Sequence, residues 1–254
     1  MRNKLTDELA ICGLSAVLAA AEQHPEKINR LFLREERLHS FLGICKQLAE
    51  RKRPYKICEN EELERICKSV HHQGVVAMIE EPVIEPINRE ELERWAAEGR
   101  VGLVLHSIGN DHNLGAIARA AAFFDASFIV LNETDSEARL TTSAYRVAEG
   151  GFEYLEVRKV NNTAAFLRDA SKLMLTVGTD IWARRRINDL GLIAGEFSSR
   201  RPGIAIVLGN EEAGLPESVK RECSCLLRIP GTGNIESLNV ATAAALFLHA
   251  AYDL

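Results

Sequence analysis

Two turns in the last quarter of the chain combine a short apolar run with glycines, and both could hold a ligand on bare backbone. The first spans 204–216 (IAIVLGNEEAGLP) and the second 226–240 (LLRIPGTGNIESLNV). Glycine lacks a Cβ, so the chain can bend through positive φ and a ligand can contact the peptide groups directly. One such turn is routine in α/β proteins, but two in tandem before a closing helix predict a ligand pocket near the carboxyl end of the chain. The glycines concerned are Gly209, Gly214, Gly231 and Gly233.

Neither turn matches a common nucleotide-binding fingerprint. The first has the glycine spacing of a phosphate loop, but Leu215 and Pro216 stand where lysine and serine or threonine are needed. The second has Glu236 where a dinucleotide-binding fold needs a third small residue, and the remaining chain is too short for a further βαβ unit. The sequence therefore disfavours both a phosphate-loop NTPase and a dinucleotide enzyme.

A third segment, 110–119 (NDHNLGAIAR), carries one arginine in a helix of small residues. Asn113 is a candidate N-cap, and Gly115 allows the helix to pack closely on a sheet. Arg119 either extends to water or faces an anion, and an arginine near the carboxyl ends of parallel strands is well placed to bind phosphate. The residues alone leave both alternatives open.

The composition is that of a globular protein, with 254 residues, 46% hydrophobic residues and a formal net charge of −5. No apolar run approaches the ~20 residues that span a bilayer, and acidic residues stand where a signal peptide has its apolar region. The six cysteines include no CxxC pair and lie mostly among apolar neighbours, which favours reduced core thiols over zinc ligands or disulfides. We therefore expect a cytoplasmic protein with no membrane segment and no metal site.

Local basic clusters occur despite the negative net charge. Three are evident, namely residues 51–53 near Tyr55, residues 184–186 beside Trp182, and residues 200–201. Two of them have an aromatic side chain that could stack on a base. Each cluster fits either a solvated loop or an RNA contact, and the sequence does not decide between them.

Up to about residue 79 the pattern alternates between helix and strand, which predicts a compact α/β/α unit. The expected helices cover 11–21, 38–49 and 61–67, and the expected strands cover 28–33, 55–58 and 75–79. Pro82 and Pro86 then favour extended, weakly packed chain. We place the domain boundary there, with 1–79 as the first domain, 80–99 as a linker and acidic helix, and 100–254 as the second domain.

Beyond the linker, near-continuous apolar runs predict a parallel sheet covered by helices on both faces. The expected strands are 101–106, 127–131, 152–157, 173–178, 204–208 and 226–229. The expected helices include 89–97, 113–124 and 237–251. The predicted fold class is therefore α/β, with a smaller N-terminal domain and a larger parallel-sheet domain.

The three polar segments resemble the signature motifs of the SpoU (TrmH-type) ribose 2′-O-methyltransferases of the SPOUT superfamily. The motifs are Asn113 to Arg119 (NLGAIAR), Leu208 to Leu215 (LGNEEAGL) and Ile229 to Val240 (IPGTGNIESLNV), in family order over roughly residues 100–254. Residues 71–77 (HHQGVVA) resemble the end of the L30e-like substrate-binding domain that many members carry before the catalytic domain. The resemblance covers nearly the whole chain.

The resemblance implies an enzyme that uses S-adenosylmethionine to methylate a ribose 2′-hydroxyl of rRNA or tRNA. It also implies a deep trefoil knot and an active site completed across a homodimer. The positions carried over as catalytic or pocket-forming are Arg119, Asn113, Glu211, Ser237 and Asn239. The positions carried over as cofactor-binding are Thr179, Leu208, Gly209, Gly214, Ile229, Gly233 and Leu238. Glu211, Ser237 and Asn239 could instead cap turns or helices.

Family accounts give the Arg119 position a part in removing the hydroxyl proton. A guanidinium is very hard to deprotonate in a protein, so we favour a clamp on the adjacent phosphate and the developing oxyanion. The chain also departs from the usual motifs. His112 replaces proline, Ala241 replaces serine, and the turn at 231–233 lacks the more usual methionine. These changes predict a divergent branch and leave the substrate open.

The sequence is also compatible with two rival functions. One is an RNA-binding or assembly factor that keeps the fold with weak or no turnover, and cofactor binding would discriminate it from an enzyme. The other is a nucleotide-binding α/β enzyme that acts on small molecules, which the missing lysine and third glycine already disfavour.

Overall fold

The computed structural model describes residues 2–3, 8–133, 139–198 and 200–254. The strands formed by these residues are β1 (Arg2–Asn3), β2 (Glu8–Cys12), β3 (Ile28–Leu33), β4 (Tyr55–Ile57), β5 (Val75–Glu80), β6 (Val101–Leu105), β7 (Phe128–Asn132), β8 (Glu156–Val160), β9 (Leu175–Thr179), β10 (Arg185–Arg186), β11 (Ile204–Leu208) and β12 (Cys225–Arg228). The α-helices are α1 (Leu14–Gln23), α2 (Leu42–Glu50), α3 (Asn60–Cys67), α4 (Arg89–Ala97), α5 (Asp111–Phe123), α6 (Thr142–Ala148), α7 (Thr163–Ala170), α8 (Leu190–Phe197), α9 (Glu217–Lys220) and α10 (Val240–Tyr252). None of the helices within these ranges could serve as a transmembrane span.

Packing divides the chain into two compact units. The first contains the described residues of 1–83 and 139–154, and the second those of 84–138 and 155–254. Residues 139–154 therefore pack with the first unit although they follow the start of the second in the chain. The functional division into 1–79, 80–99 and 100–254 stays a prediction.

The first unit is built on a mixed sheet in the order β1-β2-β5-β3-β4. Strand β2 is buried along its whole length between β1 and β5. Gly150 brings the returning segment 139–154 against α1, because a Cβ at Gly150 would lie 2.6 Å from the Cβ of Ala19. Phe152 is buried there beside Tyr145, with ring centroids 5.0 Å apart. Four of the six cysteines are buried in this unit as free thiols.

The bounds of two predicted elements were wrong in this part of the chain. The helix expected over 11–21 is confirmed as α1 from Leu14 onward, but its start was wrong, because Glu8–Cys12 form the strand β2 and Gly13, with φ of 100°, separates that strand from α1. Strand β2 is buried on both faces, so it lacks the polar alternation that would separate it from the apolar helix that follows. A strand was expected over 152–157, but 151–154 form a 3₁₀ turn and β8 begins at Glu156. The aromatic residues that suggested a strand instead fill the core of the first unit.

The second unit is built on an entirely parallel sheet in the order β10-β12-β9-β11-β6-β7-β8. The α/β fold class, with a parallel-sheet domain and a smaller N-terminal unit, is confirmed. Strands β6 and β11 lie at the centre and are buried along their whole lengths. On one face, Trp95 of α4 stacks on Phe128 of β7, with ring centroids 4.0 Å apart. The trefoil knot stays a prediction from the family resemblance.

A charged network fastens α4 to strand β8. Arg94 donates two hydrogen bonds to the carboxylate of Glu156, at 3.2 and 2.6 Å, and Arg100 donates a third. The indole Nε1 of Trp95 lies 3.4 Å from the same carboxylate. Burial on its own raises the pKa of Glu156, but the hydrogen bonds and positive charges of Arg94 and Arg100 outweigh burial, so the pKa is lowered. The ionised carboxylate therefore stabilises the second unit.

We expect Glu156→Gln to lower the free energy of unfolding by about 1–2 kcal/mol near pH 7, because charge-assisted bonds from two arginines are lost. The stabilisation by Glu156 is present above its unfolded pKa of about 4.3 and is lost as pH falls through the lower folded value. The difference between wild type and variant should therefore shrink in acid. Denaturant titrations at several pH values measure it.

The matched control is Glu93→Gln on the same helix, because the ion pair of Glu93 within the described part of the chain is with the highly exposed Arg89. We expect the control to change stability by less than about 0.5 kcal/mol. Equal effects of the two substitutions would contradict the role of the network.

Candidate active site

The carboxyl ends of four adjacent strands meet at one edge of the parallel sheet. Register places Leu208 of β11 beside Leu105 of β6. Val207 pairs with Gly178 of β9, and Thr179 pairs with Leu227 of β12. The turns that follow these strands therefore share one edge, where parallel α/β sheets bind their ligands.

The turn after β11 depends on one glycine. A Cβ at Gly209 would lie 2.4 Å from the carbonyl carbon of Gly214 and 2.6 Å from the nitrogen of Leu215, so any side chain would displace backbone. Asn210 closes the turn, because its Oδ1 accepts hydrogen bonds from the backbone nitrogens of Glu212 and Ala213, at 2.9 and 3.0 Å. Gly214 has a φ of +65°, which favours glycine at this position.

A chain of hydrogen bonds joins the three sequence motifs. The side-chain Nδ2 of Asn113 donates to Oε1 of Glu211, 98 residues further along. The Nδ2 of Asn239 donates to Oδ1 of Asn113 at 3.1 Å. The Oδ1 of Asn239 accepts from the backbone nitrogen of Ala241 at 2.8 Å and caps α10. The structure thus brings together Asn113, Glu211 and Asn239, which we call the amide relay.

The prediction that Asn113 is the N-cap of this helix was wrong. Helix α5 begins at Asp111, and its N-cap is Asn110, whose side chain accepts from the backbone nitrogen of His112 at 2.8 Å. The helix starts earlier because an asparagine with extended backbone stands directly before its first residue. Asn113 consequently lies in the first turn of the helix, and its amide is available to Glu211 and Asn239.

Arg119 and Ser237 lie outside the amide relay. Arg119 is exposed on α5. It is six residues beyond Asn113, which is about 9 Å along the axis and roughly 120° around it. Ser237 is exposed, two residues before Asn239. Their assigned roles stay predictions.

The expected cofactor-binding residues lie around the two glycine turns. Thr179, at the end of β9, donates from Oγ1 to the carbonyl of Val207 at 3.0 Å. Residues 231–239 are all exposed and form no helix or strand. A Cβ at Gly231 would find no atom within 4 Å, and Gly233, with φ of +86°, is equally open. Ile229 and Leu238 are partly exposed at the two ends of this segment.

Open backbone beside partly exposed apolar side chains suits a ligand with a flat apolar ring and polar groups along its edge. The exposed carbonyl and N–H groups of 230–239 can hydrogen-bond such a ring, while Ile229 and Leu238 can cover its faces. The amide relay adds a carboxylate and two amides within reach of one another. This set can bind and orient polar groups, since it combines donors with an acceptor.

Sequence reasoning missed two residues beside the site, His106 and Ser107. The backbone nitrogen of His106 donates to the carbonyl of Leu208 at 2.9 Å, and its Nδ1 lies 3.0 Å from Oγ1 of the buried Thr163. Burial lowers the pKa of His106, so the ring is neutral at pH 7. Ser107 has a φ of +59°, and its carbonyl accepts from Nδ2 of Asn210 at 3.0 Å. The sequence signal that could have identified them is a pair of polar residues directly after the apolar run of β6.

Comparison with known proteins gives consistent matches over both units. Residues 100–249 match the model of the SpoU rRNA Methylase family. Residues 10–84 match the model described as RNA 2′-O ribose methyltransferase substrate binding.

Similar individual proteins are known by sequence and by structure. The 23S rRNA (guanosine-2′-O-)-methyltransferase RlmB of Bordetella pertussis is 30% identical over 94% of this chain and 94% of its own length. The protein of the same name from Nitrosomonas europaea is 28% identical over 96% of this chain and 91% of its own. The AdoMet-bound rRNA methyltransferase from Sinorhizobium meliloti superposes with a TM-score of 0.77 at 23% identity, covering 97% of this chain and 87% of that one.

We expect Gly209→Ala to destabilise the second unit by about 2 kcal/mol, because the new Cβ collides with backbone that cannot move independently of β11. A shift of the melting temperature of about 4–8 °C corresponds to this change. Circular dichroism melts measure it.

Gly231→Ala is the matched control, since the same change at Gly231 meets open space. It should leave the melting temperature within about 2 °C of wild type. If the Gly209 variant had the same melting temperature as this control, the close packing of the turn would be contradicted.

Proposed function

Because the chain belongs to the SpoU rRNA methylase family, we propose that it transfers a methyl group from S-adenosylmethionine to a ribose 2′-hydroxyl of ribosomal RNA. Its relatives named above are 23S rRNA guanosine-2′-O-methyltransferases, which favours large-subunit rRNA as the substrate. The observation that carries the proposal is the amide relay, because it joins all three motifs beside the open backbone of 230–239.

The glycine turns suit S-adenosylmethionine, which supplies an electrophilic methyl group on a positively charged sulfur when it is bound. Leu208, Gly209 and Gly214 offer backbone at the end of β11, and Thr179 lies beside them at the end of β9. The residues of the second turn that would line the adenine ring are Ile229, Gly233 and Leu238. Neutral His106 adds no repulsive charge to this edge.

Methyl transfer to a hydroxyl depends on positioning and on stabilising the oxygen as it becomes negative. We assign this stabilisation to Arg119, which holds the adjacent phosphate and the developing oxyanion. Asn113, Glu211 and Asn239 hold the two glycine turns and α5 in a fixed arrangement, and Ser237 orients the ribose. The proton leaves to the phosphate or to water, since a guanidinium remains protonated.

The first unit presents the RNA. Residues 10–84 match a substrate-binding domain of RNA ribose methyltransferases, so we assign 1–79 to RNA binding, 80–99 to the linker and acidic helix, and 100–254 to catalysis. The enzyme acts in the cytoplasm with its RNA substrate. It needs no metal ion, because a sulfonium donor is already activated.

The exposed face of α5 and α10 supports a homodimer. Phe123 of α5 is 80% exposed, and Tyr252 of α10 is 55% exposed. Phe124 connects the two helices, with its ring centroid 5.7 Å from that of His249 and 6.2 Å from that of Tyr252. Large exposed apolar side chains on adjacent helices are typical of an interface between protein chains.

The same face explains how Arg119 could act although it lies outside the amide relay. Arg119 and Phe123 are four residues apart and share one side of α5, whereas Asn113 lies roughly 120° away. In a dimer through this face, Arg119 would reach the second copy of the chain. We therefore propose that each active site is completed by an arginine from the other copy.

The proposed function is tested by methyl transfer to unmodified 23S rRNA. Calorimetry should detect binding of S-adenosylmethionine to the purified protein, and tritium from the labelled methyl group should appear in the RNA. Mapping 2′-O-methyl positions should locate one modified nucleotide. Binding of RNA with no cofactor binding and no tritium transfer would instead indicate an assembly factor.

We expect Arg119→Ala to lower kcat at least 100-fold, because the stabilising cation is lost, while the affinity for S-adenosylmethionine stays within about twofold. Single-turnover kinetics and calorimetry measure the two quantities. The control is Arg200→Ala, which removes an exposed arginine from the same unit. Near-wild-type turnover of the Arg119 variant would overturn its assigned role.

We expect Phe123→Glu to dissociate the dimer, since a charge replaces apolar surface at the proposed interface. Light scattering at micromolar concentration should then report the mass of one chain. Val70→Glu, at a 68% exposed position of the first unit, should remain dimeric. A wild-type protein that is monomeric under these conditions would refute the shared active site.

A further inference from the structure

The outermost strand of the parallel sheet carries a row of arginines that the proposed chemistry does not use. Strand β10 consists of Arg185 and Arg186, and Arg184 precedes it. Arg228, at the end of β12, pairs in register with Arg186. We call these four arginines, together with Trp182, the basic edge.

The basic edge lies level with the proposed cofactor turns. Arg185 pairs with Leu227 of β12, and Leu227 pairs with Thr179 of β9. Adjacent strands are about 4.8 Å apart, so the backbones of Arg185 and Thr179 are separated by about 10 Å. Arg228 directly precedes Ile229, where the second glycine turn begins. An RNA strand that enters the active site can therefore also lie on the basic edge, since only two strand spacings separate the two.

Among the residues that the structure describes, few carboxylates neutralise these arginines. Arg186 and Arg228 are register partners on neighbouring strands, so their backbones are about 5 Å apart and both side chains leave the same face of the sheet. Arg185 has one carboxylate nearby, that of Glu196 at 3.7 Å, and both groups are about half exposed. Asp189 accepts from the backbone nitrogen of Arg186. Like charges held together destabilise the free protein, and a phosphate chain would relieve the repulsion.

Trp182 is presented outward by a rigid turn. Its side chain is 79% exposed, while Ala183 beside it is 8% exposed. The backbone nitrogen of Trp182 donates to Oδ1 of Asp180 at 3.1 Å. Asp180 is fixed in turn by a 2.9 Å ion pair with Lys220 and by a 3.0 Å bond from its nitrogen to the carbonyl of Leu227. The backbone that carries the exposed indole is therefore fixed, which suits a platform for stacking.

We propose that the basic edge binds unpaired RNA next to the methylated ribose, with a base stacked on Trp182 and the backbone phosphates on the arginines. An exposed aromatic ring beside a row of guanidinium groups is the combination that single-stranded nucleic acids require. An acidic protein partner would use the arginines but leave the indole unexplained. The inference rests on the proposed function for the identity of the RNA, and it adds a second contact region in the catalytic unit.

Tryptophan fluorescence tests the stacking directly. The chain has two tryptophans. Trp95 is fully buried and stacked on Phe128, so emission that acrylamide can quench comes from Trp182. A single-stranded 12-nucleotide oligouridine should quench this emission and protect it from acrylamide, and a 12-base-pair duplex should do so much less. Trp182→Phe should abolish the response and keep the emission of Trp95.

Binding measurements test the arginines. Fluorescence polarisation with the labelled oligouridine should show that Trp182→Ala weakens binding about 5- to 150-fold. Arg184→Gln with Arg186→Gln should weaken binding and lower the slope of log K against log salt by about 1.4, or 0.7 for each phosphate contact. The matched control is Arg200→Gln with Arg201→Gln, which removes two exposed arginines elsewhere in the same unit. We expect the control to keep most of the affinity and of the slope.

The outcomes separate this inference from the proposed function. Cofactor calorimetry on the basic-edge variants should match wild type, while their KM for 23S rRNA rises. If these variants methylated RNA at the wild-type rate with an unchanged KM, the RNA-binding role of the basic edge would be overturned while the proposed function would stand. That role would also be overturned if the control pair lost as much RNA affinity as the basic-edge variants, or if the duplex quenched the emission as strongly as the single strand. A variant with a changed oligomeric mass but an unchanged RNA affinity would overturn it too.

Discussion

The close approach of two backbone segments at Gly209 is the constraint on which the site depends. The carbonyl carbon of Gly214 occupies the space where a side chain at Gly209 would lie. The turn can therefore fold back on the end of β11 and leave Glu211 at its outer side. From there Glu211 accepts from Asn113, which brings the start of α5 to the same edge of the sheet. Asn239 completes the arrangement by capping α10 and donating to Asn113.

This arrangement separates the amide relay from the guanidinium of Arg119. The amide relay consists of one carboxylate and two neutral amides, which suits a ligand that carries a positive charge. Arg119, in contrast, lies on the face of α5 that carries the exposed Phe123. Within one chain, the guanidinium of Arg119 thus lies on a different face of α5 from Asn113 of the amide relay. On the proposal made here, the guanidinium is supplied only when two chains associate and when RNA phosphate is present to balance it.

Much of the fold could be predicted from the sequence, because strands such as Ile204–Leu208 are uninterrupted apolar runs that end at glycine or polar residues. Strand β10 could not be predicted, because its two arginines carry no apolar signal. The strand forms by pairing with β12, which lies about 40 residues further along the chain. The family motifs identified candidate site residues, but not their geometry. The bond between Asn113 and Asn239 joins residues 126 positions apart, and no local pattern encodes such a contact. The N-cap at Asn110 was missed because two asparagines stand three residues apart and both suit a helix start.

The return of residues 139–154 to the first unit has a consequence for how such a protein can evolve. Because Gly150 fits against Ala19 and Phe152 fills the core beside Tyr145, the smaller unit is completed by a piece of chain encoded within the larger one. A gene segment ending near residue 83 would lack that piece and leave apolar surface uncovered. In this chain the smaller unit is therefore built from two separate stretches of sequence. Recombination that exchanges it for another RNA-binding domain would have to replace two separate stretches of the gene together.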